Sequence, residues 1–343
     1  MDTKNYKPIY QRLFEHYQDR ILKQEYLPGT KVDSINRIMS RHNVSRETAK
    51  IVLKKLNDEK LVVTLSGRGT FVTESKITNN SWGVIIPFFS SNMEHLLNCL
   101  HHEARERKRS FNYFLHYNNP GEETRLVGKL IQEGYEAVII VPNYDESLTA
   151  DFYHRLIPGN TTVILADNTM AGSSFKYVIQ SYDLGIKRAL EYMTSLNNKN
   201  ILFVKNEIWK GKNLLIEHIE NTLNAYSQLW SPPFNVFTTG NISEINKEYI
   251  QNKNIGGIIS YNDVNAATLA GKLRNEGISI PEQVSIINYG NTELTKYFTP
   301  AITAIDCNYE ELARKTAWLI ELGKNCSTYE QHVIQPKLII RKT

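Results

Sequence analysis

At 343 residues, with 41% hydrophobic and 22% charged residues, the chain is long enough for two or three globular domains and ordinary in composition. Its formal net charge of +4 is unevenly spread, because residues 1–76 carry 15 Lys and Arg against 9 Asp and Glu while the remainder carries 25 against 27. No apolar run approaches the ~18 residues of a membrane helix, and the opening MDTKNYKPIY has no apolar signal-peptide core, so a cytoplasmic protein with no membrane partner is expected.

The first helix is predicted over residues 8–25, where Ile9, Leu13, Tyr17 and Ile21 recur every four residues and Pro8 suits the first turn. Leu27-Pro28-Gly29 stops it. Ile35, Ile38 and Met39 then mark one face of a second helix. Ala49, Val52, Leu53 and Leu56 mark a third, after a break at His42-Asn43-Val44. Ser45 is placed to cap that third helix, which leaves Arg46, Glu47, Thr48 and Lys50 in or near its first turn. Two short apolar runs, 61–65 and 70–72, flank Ser66-Gly67-Arg68-Gly69, a glycine-rich hairpin turn. Three helices and a basic-tipped hairpin make a winged helix-turn-helix, expected over residues 1–73, with the start of the third helix entering a major groove. The clustered positive charge attracts phosphate without reading sequence, and Lys50 and Lys54 fit that role.

Residues 74–81 are polar and read as a linker. Over 82–343, apolar strand-like runs alternate with helical patterns. The runs are 82–87, 111–117, 137–142, 162–167, 201–204, 234–238, 256–260 and 284–289, with a helix expected over about 93–109. Such alternation predicts an α/β domain of mostly parallel sheets, and two layers in series, a two-lobed body, suit its length better than one sheet. Polar groups follow the carboxyl ends of these strands: Ser90-Ser91-Asn92 behind Phe88-Phe89, Asp167-Asn168, Lys205-Asn206, Asn262-Asp263 and Gly290-Asn291. That edge is where open α/β sheets bind ligands. Amides, hydroxyls and carboxylates beside aromatic rings suit a neutral polyhydroxylated molecule. Each residue also reads singly as a helix cap or turn former.

No catalytic set emerges. There is no GxSxG, HExxH, P-loop or GxGxxG, the nine histidines make no ligand-spaced cluster, and Cys99, Cys307 and Cys326 are far apart without a CxxC, so no metal and no cofactor are expected. A sugar kinase would need a phosphate-cradling glycine loop. A binding module without a DNA role would not need Arg46, Thr48 and Arg68 on a basic domain.

The segments YQRLFEHYQDRILKQEYLPGTKV, VSRETAKIVLKKLNDEKLV and GRGTFV resemble, in order, the DNA-binding domain of the GntR family over about residues 6–74. The resemblance implies that Arg46 and Thr48 contact DNA, that Arg68 at the wing tip reaches the minor groove, and that Ser45 both caps the helix and meets phosphate. Where that family carries Pro-Ser-x-Arg, this chain has Asp33-Ser34-Ile35-Asn36. Asn36 can bond a base or phosphate but lacks the charged fork. From about residue 81 onward the chain is similar to the sugar-binding domain of the LacI/GalR family, most strongly at GGIISYNDVNAATLAGKLRNEGISIPEQVSIINYGN and in the closing PKLIIRKT. This implies sugar hydroxyls held by Asp167, Asn262 and Asp263, with Phe88 packed on the sugar. It also implies a basic group after the 201–204 strand, for which Lys210 or Lys212 stands in, with Trp209 for stacking. The family's Gly-Phe/Tyr-Asp-Asp is replaced by Asn288-Tyr289-Gly290-Asn291, which loses a carboxylate and leaves the Asn291 amide as a sugar ligand. The whole layout resembles bacterial arabinose repressors and their relatives. It implies a homodimer on double-stranded operator DNA, released by a neutral monosaccharide such as L-arabinose or L-fucose, with sugar-responsive activation as the alternative.

Overall fold

The computed structural model describes residues 7–22, 25–26, 29–59, 61–65, 67–73, 79–143, 161–168, 175–196, 200–205, 214–230, 232–323 and 330–343. The chain divides into two compact units: Met1–Asn79 falls in the first together with the short segment Ile131–Glu136, and most of the remainder forms the second.

The first unit opens with α1 (Ile9–Leu22), α2 (Ile35–His42) and α3 (Arg46–Asp58), followed by a hairpin of β1 (Val62–Leu65) and β2 (Gly69–Val72). Ser34 and Ser45 cap α2 and α3, each side-chain oxygen accepting from the backbone N–H three residues on. Asn43, in the left-handed conformation at φ 51°, ends α2 and turns the chain towards α3. Tyr17, Ile38, Ala49, Val52 and Leu56 are fully buried, so the four-residue spacing of each helix converges on one core. Each large apolar side chain buried this way contributes about 1.5–3 kcal/mol. Antiparallel β1 and β2 run in register from Val62 opposite Val72 to Leu65 opposite Gly69.

The second unit has two six-stranded sheets. The first contains β3 (Asn79–Ile86), β4 (Ser110–Leu115), β5 (Tyr135–Ile140), β6 (Thr162–Asp167), β7 (Lys176–Gln180) and, far along the chain, β13 (Gln331–Ile334), in the order β13-β7-β6-β5-β3-β4. Its helices are α4 (Ser91–Glu106) and α5 (Pro120–Gln132). The second sheet contains β8 (Asn200–Val204), β9 (Asn235–Thr239), β10 (Ile255–Ser260), β11 (Ser285–Tyr289), β12 (Thr303–Asp306) and β14 (Lys337–Ile339), in the order β14-β12-β11-β10-β8-β9. Its edge strand β14 pairs antiparallel with β12, while β9, β8, β10, β11 and β12 pair parallel along the described residues. Its helices are α6 (Tyr182–Ser195), α7 (Leu214–Leu229), α8 (Lys247–Asn252), α9 (Asp263–Asn275) and α10 (Glu293–Tyr297). The last helix, α11 (Tyr309–Leu322), returns to the first lobe and packs on α4, β6 and β7. Along the described residues the chain therefore passes between lobes three times: after Gln180, after Asp306 and after Ile334.

Two boundaries shift from the expected ones. The α4 helix begins at Ser91, capped by Ser90, and ends at Glu106, so it lies slightly N-terminal to the expected 93–109. β3 begins at Asn79, inside the stretch read as a linker. The parallel two-sheet architecture itself was expected; the strands β7, β12, β13 and β14, which knit the two lobes together, were not. Among the described residues no helix is long and apolar enough to cross a membrane.

Candidate functional site

In the first unit, the side chains expected to meet DNA are exposed: Asn36 on α2, Arg46 and Lys50 on α3, and Arg68 in the hairpin turn, with Thr48 half-buried. The Ser45 hydroxyl lies 2.9 Å from the Thr48 hydroxyl and accepts from the Thr48 N–H at 3.2 Å. Two hydroxyls thus sit at the N-terminus of α3, where free backbone N–H groups and the helix dipole favour an anion. Lys50 donates to Glu47 at 2.8 Å, and this bond holds the Glu47 carboxyl below its ordinary pKa. Gly67, at φ 74°, supplies a positive-φ corner of the turn carrying Arg68.

Sequence reasoning missed Asp33 in this unit. Its carboxylate is buried and accepts from Tyr17 Oη at 2.9 Å, from Tyr26 Oη at 3.4 Å and from Arg41. It ties α1 to the start and end of α2. Burial, and then the bond to the Asp33 carboxylate, push the Tyr17 phenol well above its usual pKa. The departure from the GntR pattern at 33–36 therefore introduces a structural carboxylate one residue before the α2 cap.

In the second unit, a cavity of about 660 Å³ lies beside the ends of β3, β10 and β11, within the 300–1,000 Å³ range of small-molecule sites. Phe88, Phe89, Tyr117, Tyr182, Tyr261, Tyr289 and Tyr309 supply aromatic surface, and Ser90, Ser91, Asn92, Asn118, Asn262, Asp263 and Asn288 supply polar groups. Neither lysine nor arginine is among the described residues of its wall. The Tyr182 and Tyr289 rings stack with centroids 5.6 Å apart, and Tyr261 lies 5.8 Å from Tyr289 on a tilt.

Three residues expected at the site, Phe88, Asn262 and Asp263, do line this cavity. Asn262 caps α9 by accepting from the Asn265 N–H at 3.1 Å, and Asp263 accepts from the Thr292 hydroxyl at 2.8 Å and the Val264 N–H at 3.0 Å. The carboxylate most readily assigned to sugar hydroxyls already fixes the β11–α10 turn to α9.

Two other expectations need correction. Asp167 is absent from the cavity wall and only 1% exposed; its carboxylate accepts from Gln180 and, at 3.2 Å, from Tyr182. Burial raises it to about 6, against the lowering pull of hydrogen bonds from Gln180, Tyr182 and Tyr309. It joins β6 to the first two segments that pass between lobes. Asn291 is also off the wall: its amide donates to Asp306 at 2.9 Å and accepts from Arg341. In both cases a neighbour captures a strand-end polar group before the cavity can. Trp209, Lys210 and Lys212 lie outside the described residues, as do Asn206 and Cys326. Cys99 and Cys307 are free thiols, and no group of three metal-ligating side chains occurs among the described residues.

A winged helix-turn-helix with exposed cations, followed by a two-lobed body with an aromatic cavity, defines a DNA-binding head joined to a small-molecule-binding domain. Residues 9–72 match the family model of bacterial regulatory proteins, gntR family, and residues 216–343 match that of the periplasmic binding protein-like domain. The head thus resembles the gntR regulatory family, and the C-terminal part of the body resembles periplasmic binding protein-like domains. An arabinose metabolism transcriptional repressor of Halalkalibacterium halodurans is 22% identical, with 99% of this chain and 96% of the relative covered. The HTH-type transcriptional repressor PurR of Vibrio parahaemolyticus is 31% identical, but over only 25% of this chain and 26% of that one. Among solved structures, a periplasmic binding protein/LacI transcriptional regulator from Alkaliphilus metalliredigens, complexed with D-xylulofuranose, superposes with a TM-score of 0.62 at 18% identity, covering 77% of this chain and 98% of that one. A LacI family regulator from Lactobacillus casei with bound sucrose gives 0.62 at 12% identity, covering 76% and 98%.

Proposed function

We propose that the protein is a transcriptional repressor, and not an enzyme, that binds operator DNA as a homodimer and is released by an uncharged sugar in the cavity of its second unit. The observation that carries this reading is the joining, in one chain, of exposed Arg46 and Arg68, with half-buried Thr48 beside them, on a gntR-type head to an aromatic cavity lined by amides and hydroxyls and without a described cation. Arg46 reads a base edge, Arg68 enters the minor groove, and Ser45, Thr48, Asn36 and Lys50 position the head on phosphate. One head is a small reader, and a two-fold pair on a palindrome supplies the second. The neutral wall favours L-arabinose, L-fucose or a similar sugar over a phosphorylated one, since no described cation awaits a phosphate. The near full-length likeness to an arabinose metabolism repressor supports the same class of effector. Sugar binding must favour one arrangement of the lobes over another to change operator affinity.

The test is to select genomic DNA fragments with the purified full chain, then measure fluorescence anisotropy on the selected duplex while titrating L-arabinose, L-fucose and their phosphates. Weakened operator binding with a free sugar is expected. Recovery of no preferred sequence, or release by a phosphosugar alone, counts against this reading.

A further inference from the structure

Asn288 was not among the residues the sequence pointed to, yet it stands out in the cavity wall. It is the penultimate residue of β11, 1% exposed, and its side-chain N–H donates to the Gly290 carbonyl at 2.8 Å. Its side-chain carbonyl oxygen is buried and has no hydrogen-bond partner among the described residues. Buried acceptors are rarely left this way without a reason, because the desolvated oxygen recovers nothing for the water it gave up. Most polar wall groups near it are already engaged. Asp263 accepts from Thr292 and Val264, Asn262 accepts from Asn265, Ser90 caps α4, and Asn92 donates to the Tyr289 carbonyl at 3.2 Å. The Tyr289 hydroxyl, also without a partner among the described residues, lies beside Gly185.

Gly290 adds a second observation. It has φ 118°, and a Cβ built there would overlap the Asn92 side chain. The amide of Asn92, from the first lobe, therefore occupies the place where any side chain at position 290 would stand. A carboxylate cannot approach a ligand from that position in this arrangement, and the nearby acceptor that lacks a partner belongs to Asn288.

We propose that Asn288 is the specificity-determining residue of the cavity, its side-chain carbonyl reserved for a hydroxyl or N–H donated by an uncharged ligand. The inference rests on the effector reading given above. The adjoining tyrosine faces cover the apolar side of such a ligand, and the carbonyl sets its orientation.

Asparagine permits a clean separation of its two ends. Aspartate in its place keeps an acceptor but loses the donor to Gly290; leucine, of similar volume, loses both. The intact protein and its N288D and N288L variants are titrated by calorimetry with L-arabinose, L-fucose and sucrose, after thermal melting establishes that each variant is folded. If N288L does not fold, N288A takes its place. For the probe that binds wild type most tightly, the leucine variant is expected to weaken binding at least about ten-fold, while the aspartate variant stays within about three-fold. Equal losses in both would assign the residue to its bond with Gly290 and overturn the proposal. Undiminished binding by N288L would overturn it too, with the sugar reading intact. Failure of all three probes to bind wild type would overturn the sugar reading and this inference together.

Discussion

The head and the body place their functional groups in opposite ways. In the head, Asn36, Arg46, Lys50 and Arg68 stand exposed on a scaffold whose core they do not enter. In the body, the polar groups around the cavity are built into the fold: Asp263 holds the β11–α10 turn, Asn262 caps a helix, and Asp167 binds two inter-lobe segments. A surface that meets a polyanion can leave its cations in water until the partner arrives. A cavity that meets an uncharged molecule must hold polar atoms in a dry place, where each needs a partner. Function and stability are therefore separable in the head and entangled in the body.

The largest expected effect breaks that rule inside the head itself. D33A removes the acceptor of Tyr17, Tyr26 and Arg41 and is expected to cost the head about 3 kcal/mol, read as a lower melting temperature of the full chain. An unchanged melting curve would mean that the exposed guanidinium and water replace the lost partner. R46A sharpens the comparison from the other side. Discrimination of operator from scrambled duplex should fall by about 1–3 kcal/mol while the melting temperature stays put; equal loss on both duplexes would reassign Arg46 to phosphate.

Next in size comes a pH effect confined to the body. The Asp167 carboxyl, raised to about 6 when folded against about 3.9 when unfolded, keeps its proton longer in the native state. Stability relative to D167N should then be greatest near pH 4, fall as pH rises towards 6, and level off above it, by on the order of 1–2 kcal/mol in denaturant titrations. A gap that widens with rising pH would reverse the assigned cause, making the hydrogen bonds from Gln180, Tyr182 and Tyr309 outweigh burial. The smallest effect is that of K50A. It should lower the salt slope of DNA binding by about one for every duplex and leave folding unaltered.

The same contrast governs what could be read from sequence. The head was legible almost throughout, because local signals determine it: Ser45 before a helix, apolar residues at Ala49, Val52, Leu53 and Leu56, glycines on either side of Arg68. The parallel strands of the body were legible from runs such as 137–142, and the strand-end rule led to Phe88, Asn262 and Asp263, which line the cavity. It failed for Asp167 and Asn291 because sequence position does not tell which neighbour reaches a carboxylate or amide first. Gln180, Tyr182 and Arg341, which capture them, are distant in sequence. Tyr182 and Tyr309 went unnoticed, and Asn288 was given no role of its own, for a related reason. The two tyrosines sit where the chain passes between lobes, and nothing local marks a crossing. Asn288 lies in the buried run SIINY, where an amide looks like an interruption and its unmet acceptor is visible only in three dimensions.

The threefold passage between lobes also carries a consequence for birth on the ribosome. The head needs nothing beyond Val72 to pair its hairpin, so it can finish folding as soon as that stretch emerges. The first lobe cannot. Its edge strand β13 pairs with β7 across some 150 intervening positions, and β14, the edge of the other sheet, comes later still. A nascent chain would then carry a paired wing hairpin ahead of a body whose two sheets each still await an edge strand, β13 for one and β14 for the other.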